Sequence, residues 1–273
     1  MKKLRIGIVG CGAIGSSLAK AVAKNFFQAA ELVALYDINS EKAKKLSAII
    51  SKDKQLAVEN LARLIIKSEL VIESASAKTS WEIARKSLTA GRGIMIMSIG
   101  GVVSHSGELR ALAKKHGVKV YLPSGALSGV DALKSAALGK INQVTLTTIK
   151  HPRAFSGVDY INRKKINLSK IKKDTLIFCG SARQAMRNFP QNINVAGVLS
   201  LAGIGAGKTL VKIFASPKVK KNIHEVRISS AAAEIFTRTE NILHPDNPKT
   251  SYLAVLSAIA TLKQILEPVK IGT

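Results

Sequence analysis

Apolar positions along the chain fall into short unbroken runs separated by amphipathic stretches. "KLRIGIVG" (3–10) and "GIMIMSIG" (93–100) are apolar almost throughout, as strands buried on both faces are. "AIGSSLAKAVAKNF" (13–26) instead spaces Leu18, Val22 and Phe26 four residues apart, which makes one stripe of a helix. "AELVALYD" (30–37) predicts a second strand ending at Asp37, "SEKAKKLSAII" (40–50) a helix and "ELVIESAS" (69–76) a strand that closes in small residues. Helices are predicted over "SWEIARKSLTAG" (80–91), with Ser80 as cap and Gly91 as stop, and over "HSGELRALAKKHG" (105–117). "VKVYLPSGAL" (118–127) follows as a strand. Strands alternating with helices in this way specify an α/β fold built on a parallel, doubly wound sheet.

After residue 123 the rhythm changes. "QVTLTTIKHP" (143–152) and "TLIFCGSA" (175–182) read as strands of a second sheet, with a basic loop at 153–174 between them. "SARQAMRNFP" (181–190) and "INVAGVLSLAGI" (193–204) read as helices, and "HEVRISSAAAEIFTRTE" (224–240) holds at least one alternating strand. "NPKTSYLAVLSAIATLKQIL" (247–266) predicts a long apolar helix capped by Thr250 or Ser251. Two domains are expected: residues 1–123, and an α+β domain at 124–246, with the closing segment 247–273 returning as a helix.

Composition narrows the class. With 47% apolar residues the chain can bury a substantial core, yet no apolar run is long enough to span a membrane. Two cysteines, Cys11 and Cys179, make no disulfide framework, and a reducing cytoplasm fits. Five scattered histidines without metal-ligand spacing predict no metal site. The balance of 42 basic against 17 acidic residues attracts anions, but aromatics are only 4% of the chain, so stacking platforms for nucleic acid are scarce. A basic solvated surface with small anionic ligands is the simpler expectation.

Two glycine-rich runs compete for a nucleotide. "AGIGAGKT" (202–209) matches a phosphate-binding loop with Ala202 in place of its first glycine. It lacks a buried strand before it, and the one later aspartate, Asp246, sits in a polar stretch with no strand to present it to magnesium. A helix end and glycine turn account for it better. "GCGAIG" (10–15) has the right context: it follows a buried strand, opens a helix and precedes Asp37 by 22 residues, counted from Gly15. Gly10 would allow the tight turn, Gly12 the approach of a pyrophosphate, and Gly15 the packing of helix on strand, with Ala13 and Ile14 between them. Asp37 would accept hydrogen bonds from a ribose and repel a 2′-phosphate, which favours NAD. Lys42, Lys44 and Lys45 lie close by and leave NADP open.

Hydride transfer needs a proton acceptor near the reacting carbon, and histidine is the usual group. His116 closes a predicted helix, where a structural role suffices; His105, His151, His224 and His244 stay open on spacing alone.

Beyond the fingerprint, the segments "LPSGALSGVDAL" (122–133), "LIFCGSARQAMRNFPQNINVAGVLSLAGIG" (176–205), "SPKVKKNIHEVRI" (216–228) and "HPDNPKTSYLAVLSAIATLKQI" (244–265) resemble the L-aspartate dehydrogenases nearly end to end. The resemblance implies oxidation of L-aspartate at C2 with NAD or NADP, giving iminoaspartate or, after hydrolysis, oxaloacetate and ammonia, as a step toward NAD itself. It places the catalytic histidine at His224 and cofactor contacts at Ala126 and Asn194. It also implies a homodimer formed through the second domain, with the C-terminal helix packed on the first. Asn194, Lys249 and Thr250 are reasonable partners for a dicarboxylate. The chain departs from the family's usual pattern at Ser128, where glycine is common, and in its high charge. Two other readings stay on the table: a homoserine or sugar-type dehydrogenase, of which the sugar type is opposed by "ESAS" and "SIGG" where its Glu-Lys-Pro would be expected, and a cofactor-sensing regulator that binds nucleic acid.

Overall fold

The computed structural model describes residues 2–189, 193–245 and 247–272. The chain divides into two compact units, residues 1–123 with 255–271, and residues 124–254.

The first unit follows the alternation in the sequence. β1 (Leu4–Val9), α1 (Ala13–Lys24), β2 (Ala30–Tyr36), α2 (Ser40–Ile50), α3 (Leu61–Lys67), β3 (Leu70–Glu73), α4 (Ala77–Thr89), β4 (Gly93–Ile96), α5 (Ser106–Lys115) and β5 (Val120–Tyr121) follow in order. The five strands pair in parallel as β2-β1-β3-β4-β5. Chain order reverses across β1 and β3, so a crevice opens beyond their carboxyl ends, where doubly wound sheets bind ligands. Both faces are covered. One core joins Ile6, Ile8, Leu18, Val22 and Leu35 to Ala258 and Leu262 of the C-terminal helix; the other joins Val9, Val71, Ile83, Leu88, Ile94 and Ile96.

The second unit contains α6 (Val130–Ala136), β6 (Ile141–Lys150), α7 (Asp159–Arg163), β7 (Thr175–Ser181), α8 (Ala182–Asn188), α9 (Ile193–Ala202), β8 (Leu210–Ala215), β9 (Asn222–Ser230), β10 (Glu234–Asn241), β11 (Leu243–His244) and β12 (Asn247–Ser251). Its mixed sheet runs β10-β9-β6-β8-β7, with only β6 and β8 parallel. Alternation gives the sheet one apolar face: Val144 and Leu146 of β6, Val211 and Ile213 of β8, and Val226 and Ile228 of β9 are all buried. α10 (Tyr252–Leu266) closes the fold.

Several expectations need correction. Ser80 does not cap α4. Ser76 holds the N-cap position with extended backbone, while Ser80 is fully buried inside the first turn, where a β-carbon on Gly101 would come within 2.2 Å of its hydroxyl. A small residue is needed there for packing. The strand predicted over 118–127 is only Val120–Tyr121, because Pro123 removes a donor and Gly125 turns at φ +70°. The C-terminal helix begins at Tyr252, directly after the predicted cap Ser251, and not at 247: residues 247–251 are extended and pair with β11, as the residue before Pro248 favours. The basic stretch 153–174 is not all loop, since it contains α7.

Candidate active site

The fingerprint turn has the stereochemistry that its residues predict. Gly10 adopts φ +91°, and a β-carbon there would lie 2.5 Å from the Ser74 carbonyl oxygen. A β-carbon on Gly15 would come within 1.9 Å of the Gly10 carbonyl oxygen, so α1 can lie this close to β1 only with glycine. Gly12 differs. Its missing β-carbon would meet nothing within 4 Å; it faces open space at the mouth of the crevice. Ala13 is the first residue of α1, and Ile14 packs against the core.

A cleft of about 500 Å³ opens at this point, lined by Gly10, Gly12, Asp37, Lys42, Ser74 and Lys86 among others. That volume suits a small ligand or a portion of a larger one. Asp37 follows β2 and accepts from the Cys11 N–H at 2.7 Å and the Asn39 N–H at 2.9 Å. Each carboxylate oxygen keeps a further lone pair for a ribose hydroxyl. Glycines that admit a phosphate, a helix N-terminus behind them and an acid at the next strand end fit a dinucleotide. Sequence reading missed a buried carboxylate beside them. Glu73, fully buried at the end of β3, accepts from the Ala75 N–H at 2.8 Å and the Ser98 N–H at 3.0 Å. It ties the loop after β3 to the loop after β4, and burial pushes its carboxyl above the ordinary range.

His224 lies in the second unit, on β9, and is 6% exposed. Its ring continues the apolar face of the sheet, two positions from Val226. In register it stands between Thr148 of β6 and Thr239 of β10. Its Nδ1 lies 3.0 Å from the Thr148 hydroxyl. Burial first, and then the Lys150 ammonium, push its pKa down to about 3, so the imidazole is neutral at ordinary pH. At this end the face turns polar: Thr148, His224, Thr239 and the buried Asn241 replace the aliphatic residues further along.

The 124–129 loop is fastened to the same edge. Ala126 is buried and its carbonyl accepts from Asn241 Nδ2 at 3.2 Å; Ser251 donates to Asn241 Oδ1 at 2.6 Å. Ser128 reaches Thr239 Oγ1 with its hydroxyl at 2.9 Å, and its carbonyl accepts from Thr237. One row therefore runs Ser128, Thr239, His224, Thr148 across three strands and a loop. Asn194 is exposed at the start of α9, and Thr250 is half-buried in β12. The Lys249 side chain lies outside the described residues.

The remaining histidines have structural surroundings. His105 stacks on Trp81 with ring centroids 4.4 Å apart, and His116 ends α5. His151 accepts the Arg153 N–H, and His244 is buried edge-on against Tyr252. The "AGIGAGKT" run joins the end of α9 to the start of β8, the reverse of the strand–loop–helix order that a phosphate loop needs. The Thr209 hydroxyl, which would face magnesium in such a loop, is given to the Gly205 carbonyl at 3.0 Å.

Thr148 and Lys150 were not singled out from the sequence, although a signal was present. In "VTLTTIK" the residues at alternate positions, Val144, Leu146, Thr148 and Lys150, pass from apolar to polar along one strand face.

Comparison with known proteins agrees with this division. Residues 10–123 match the family model described as homoserine dehydrogenase, NAD binding domain. Residues 131–265 match the model described as aspartate dehydrogenase, C-terminal. The L-aspartate dehydrogenase of Methanosarcina mazei is 43% identical over 99% of this chain and all of its own length, and that of Methanosarcina acetivorans is 44% identical at the same coverage. Among solved structures, aspartate dehydrogenase from Thermotoga maritima superposes with a TM-score of 0.72 at 26% identity, covering 99% of this chain and all of the other. A homoserine dehydrogenase from Thiobacillus denitrificans (TM-score 0.63, 14% identity, 97% of this chain and 74% of that one) shares the fold alone. With an NAD-binding first unit and full-length relatives above 40% identity, the chain belongs to the L-aspartate dehydrogenase family of oxidoreductases that act on a CH–NH2 group.

Proposed function

We propose that this protein oxidises L-aspartate at C2 with NAD, giving iminoaspartate, NADH and a proton, and that water then releases oxaloacetate and ammonia. The observation that carries the reading is a neutral, buried His224 at the polar end of an otherwise apolar sheet face, in a chain whose relatives are L-aspartate dehydrogenases. NAD, when bound, supplies the two-electron acceptor. Every other role falls to the protein's own residues.

Gly12 leaves room for the cofactor's phosphates and Asp37 receives ribose hydroxyls. A 2′-phosphate would meet the Asp37 carboxylate, so NAD is the preferred form, while Lys42 in the same cleft favours NADP. In the second unit, Thr148 fixes the His224 tautomer. For Nε2 to accept a proton, Nδ1 must carry the hydrogen and donate it to Thr148 Oγ1. Nε2 then takes a proton from the substrate ammonium, freeing the lone pair that forms the C=N bond as the C2 hydrogen leaves with its electrons. A substrate carboxylate beside the ring opposes the effect of Lys150 and raises the imidazole's basicity on binding. Ala126 and Asn194 are proposed as cofactor contacts, and Asn194, Thr250 and Lys249 as substrate partners.

The proposal extends to a homodimer in the cytoplasm, feeding the synthesis of NAD. The outer face of the second sheet is its candidate contact. There Arg227 lies over the half-exposed Phe236 ring at 4.3 Å, and Arg238 bridges Glu225 and Glu240. NADH formation with L-aspartate, D-aspartate, L-glutamate and L-homoserine tests the central reading. Turnover confined to L-aspartate is the expected result. A preference for L-homoserine, or turnover of none of the four while NAD still binds, would overturn it.

A further inference from the structure

β6 carries a lysine that the roles above do not use. Lys150 is its last residue, paired with Ala215 of β8, and its carbonyl accepts the Ser216 N–H at 2.9 Å. Strand alternation places its side chain on the face of Thr148 and Leu146, the face that His224 shares. Since Thr148 stands directly opposite His224, Lys150 is the diagonal neighbour of the histidine, within reach of a long side chain. Its ammonium is near enough to bear on the His224 imidazole, and burial pushes its own pKa down to about 8.

Lys150 is half-buried at the end of this sheet face. It sits where the face changes from aliphatic to hydroxyl, imidazole and amide groups. The groups it joins there carry no formal positive charge: Thr148, Thr239 and Asn241 are neutral, and His224 is unprotonated. Among these described groups the cation is Lys150. A substrate with one ammonium and two carboxylates needs a neutral base at the first and a positive charge at the second. His224 and Lys150, adjacent on one rigid sheet, supply that pair.

We propose that Lys150 is a substrate-binding residue that receives a carboxylate of the dicarboxylic amino acid beside His224 and so sets the enzyme's preference for a dicarboxylate. The inference rests on the reading of His224 as the proton acceptor for such a substrate. It assigns Lys150 no step in the chemistry: the lysine orients the substrate through a charge-assisted hydrogen bond, and the proton passes to His224.

The test uses succinate, a dicarboxylate without an ammonium group, so that binding is read apart from turnover. Calorimetric titration of succinate into the wild-type protein with NADH present is compared with Lys150→Met, Lys150→Gln and Lys150→Arg, beside the KM for L-aspartate of each. The Met and Gln variants should weaken succinate binding and raise that KM by about 10- to 100-fold, the span expected for a lost hydrogen bond to a charged group. The Arg variant should restore most of both, and NAD affinity should stay unchanged throughout. The glutamine variant, which keeps a polar end group, carries the test if the methionine variant does not fold. Wild-type affinity for succinate in a folded Met or Gln variant would overturn the inference, as would a wild-type protein that does not bind succinate. A wild type that binds succinate through Lys150 yet never turns over L-aspartate would overturn the functional reading and leave the anion site standing.

Discussion

At the scale of single residues, His224 accounts for most of the site's character. It is buried and held neutral, with a hydroxyl on one ring nitrogen. That environment has a consequence for stability as well as chemistry. The ordinary imidazole pKa of 6.5 falls to about 3 in the folded protein, chiefly through burial. The unfolded chain therefore binds more protons between pH 3 and 6.5, and stability contributed by this group is full above the upper value and lost as pH falls through the window. His224→Gln removes this contribution. Urea unfolding at pH 7 and pH 5 should show the wild type losing about 2 kcal/mol more than the variant across that interval. Equal losses would mean that the histidine is not buried as a neutral group. Its proposed role as the site's base came from family resemblance; spacing alone left four histidines open. What separates them is three-dimensional. His105 lies on an indole, His151 binds a backbone amide, and only His224 stands in a polar row across the second sheet.

Secondary-structure elements divide into those that the sequence made legible and those that it hid. The buried parallel strands of the first unit are nearly continuous apolar runs, and their helices have regular stripes, so β1 to β4 were readable directly. β8 was hidden behind the glycine run that imitates a phosphate loop, and α3 and α6 are only seven residues each, too short to show a period. β12 was read as helix because its residues abut a long apolar one. In the fingerprint turn the glycines were legible, but their separate duties were not. Gly15 is required by packing, whereas a β-carbon on Gly12 would meet nothing within 4 Å, which leaves Gly12 to the proposed cofactor. Gly12→Ala should therefore leave thermal stability unchanged and weaken NAD binding about 10-fold or more. Gly15→Ala should lower stability itself, since its β-carbon would strike the Gly10 carbonyl. Thermal melts with and without NAD distinguish the two, and a Gly12→Ala protein that binds NAD normally would contradict the assignment of that cleft.

Over the whole molecule, the two units carry separate tasks. The parallel sheet provides a crevice with Gly12 and Asp37 for a dinucleotide. The mixed sheet brings together the histidine proposed as base, a hydroxyl on its Nδ1 and a lysine on the same face. The formal charge of +25 agrees with this division, because both ligands are anions and a positive field raises their local concentration. Fold and family were legible because strand–helix alternation and the second unit's specific segments survive in the sequence. The Thr148–His224–Lys150 grouping was not, because strand pairing brings together residues more than seventy positions apart. The central claim is that a neutral His224 accepts the proton as L-aspartate is oxidised by NAD. The most direct measurement is the rate of NADH formation from L-aspartate by wild type and His224→Gln, with NAD affinity measured on both. A fall of about 1000-fold or more in kcat with NAD affinity intact is the predicted result. A variant that keeps more than about a tenth of wild-type kcat would contradict the account.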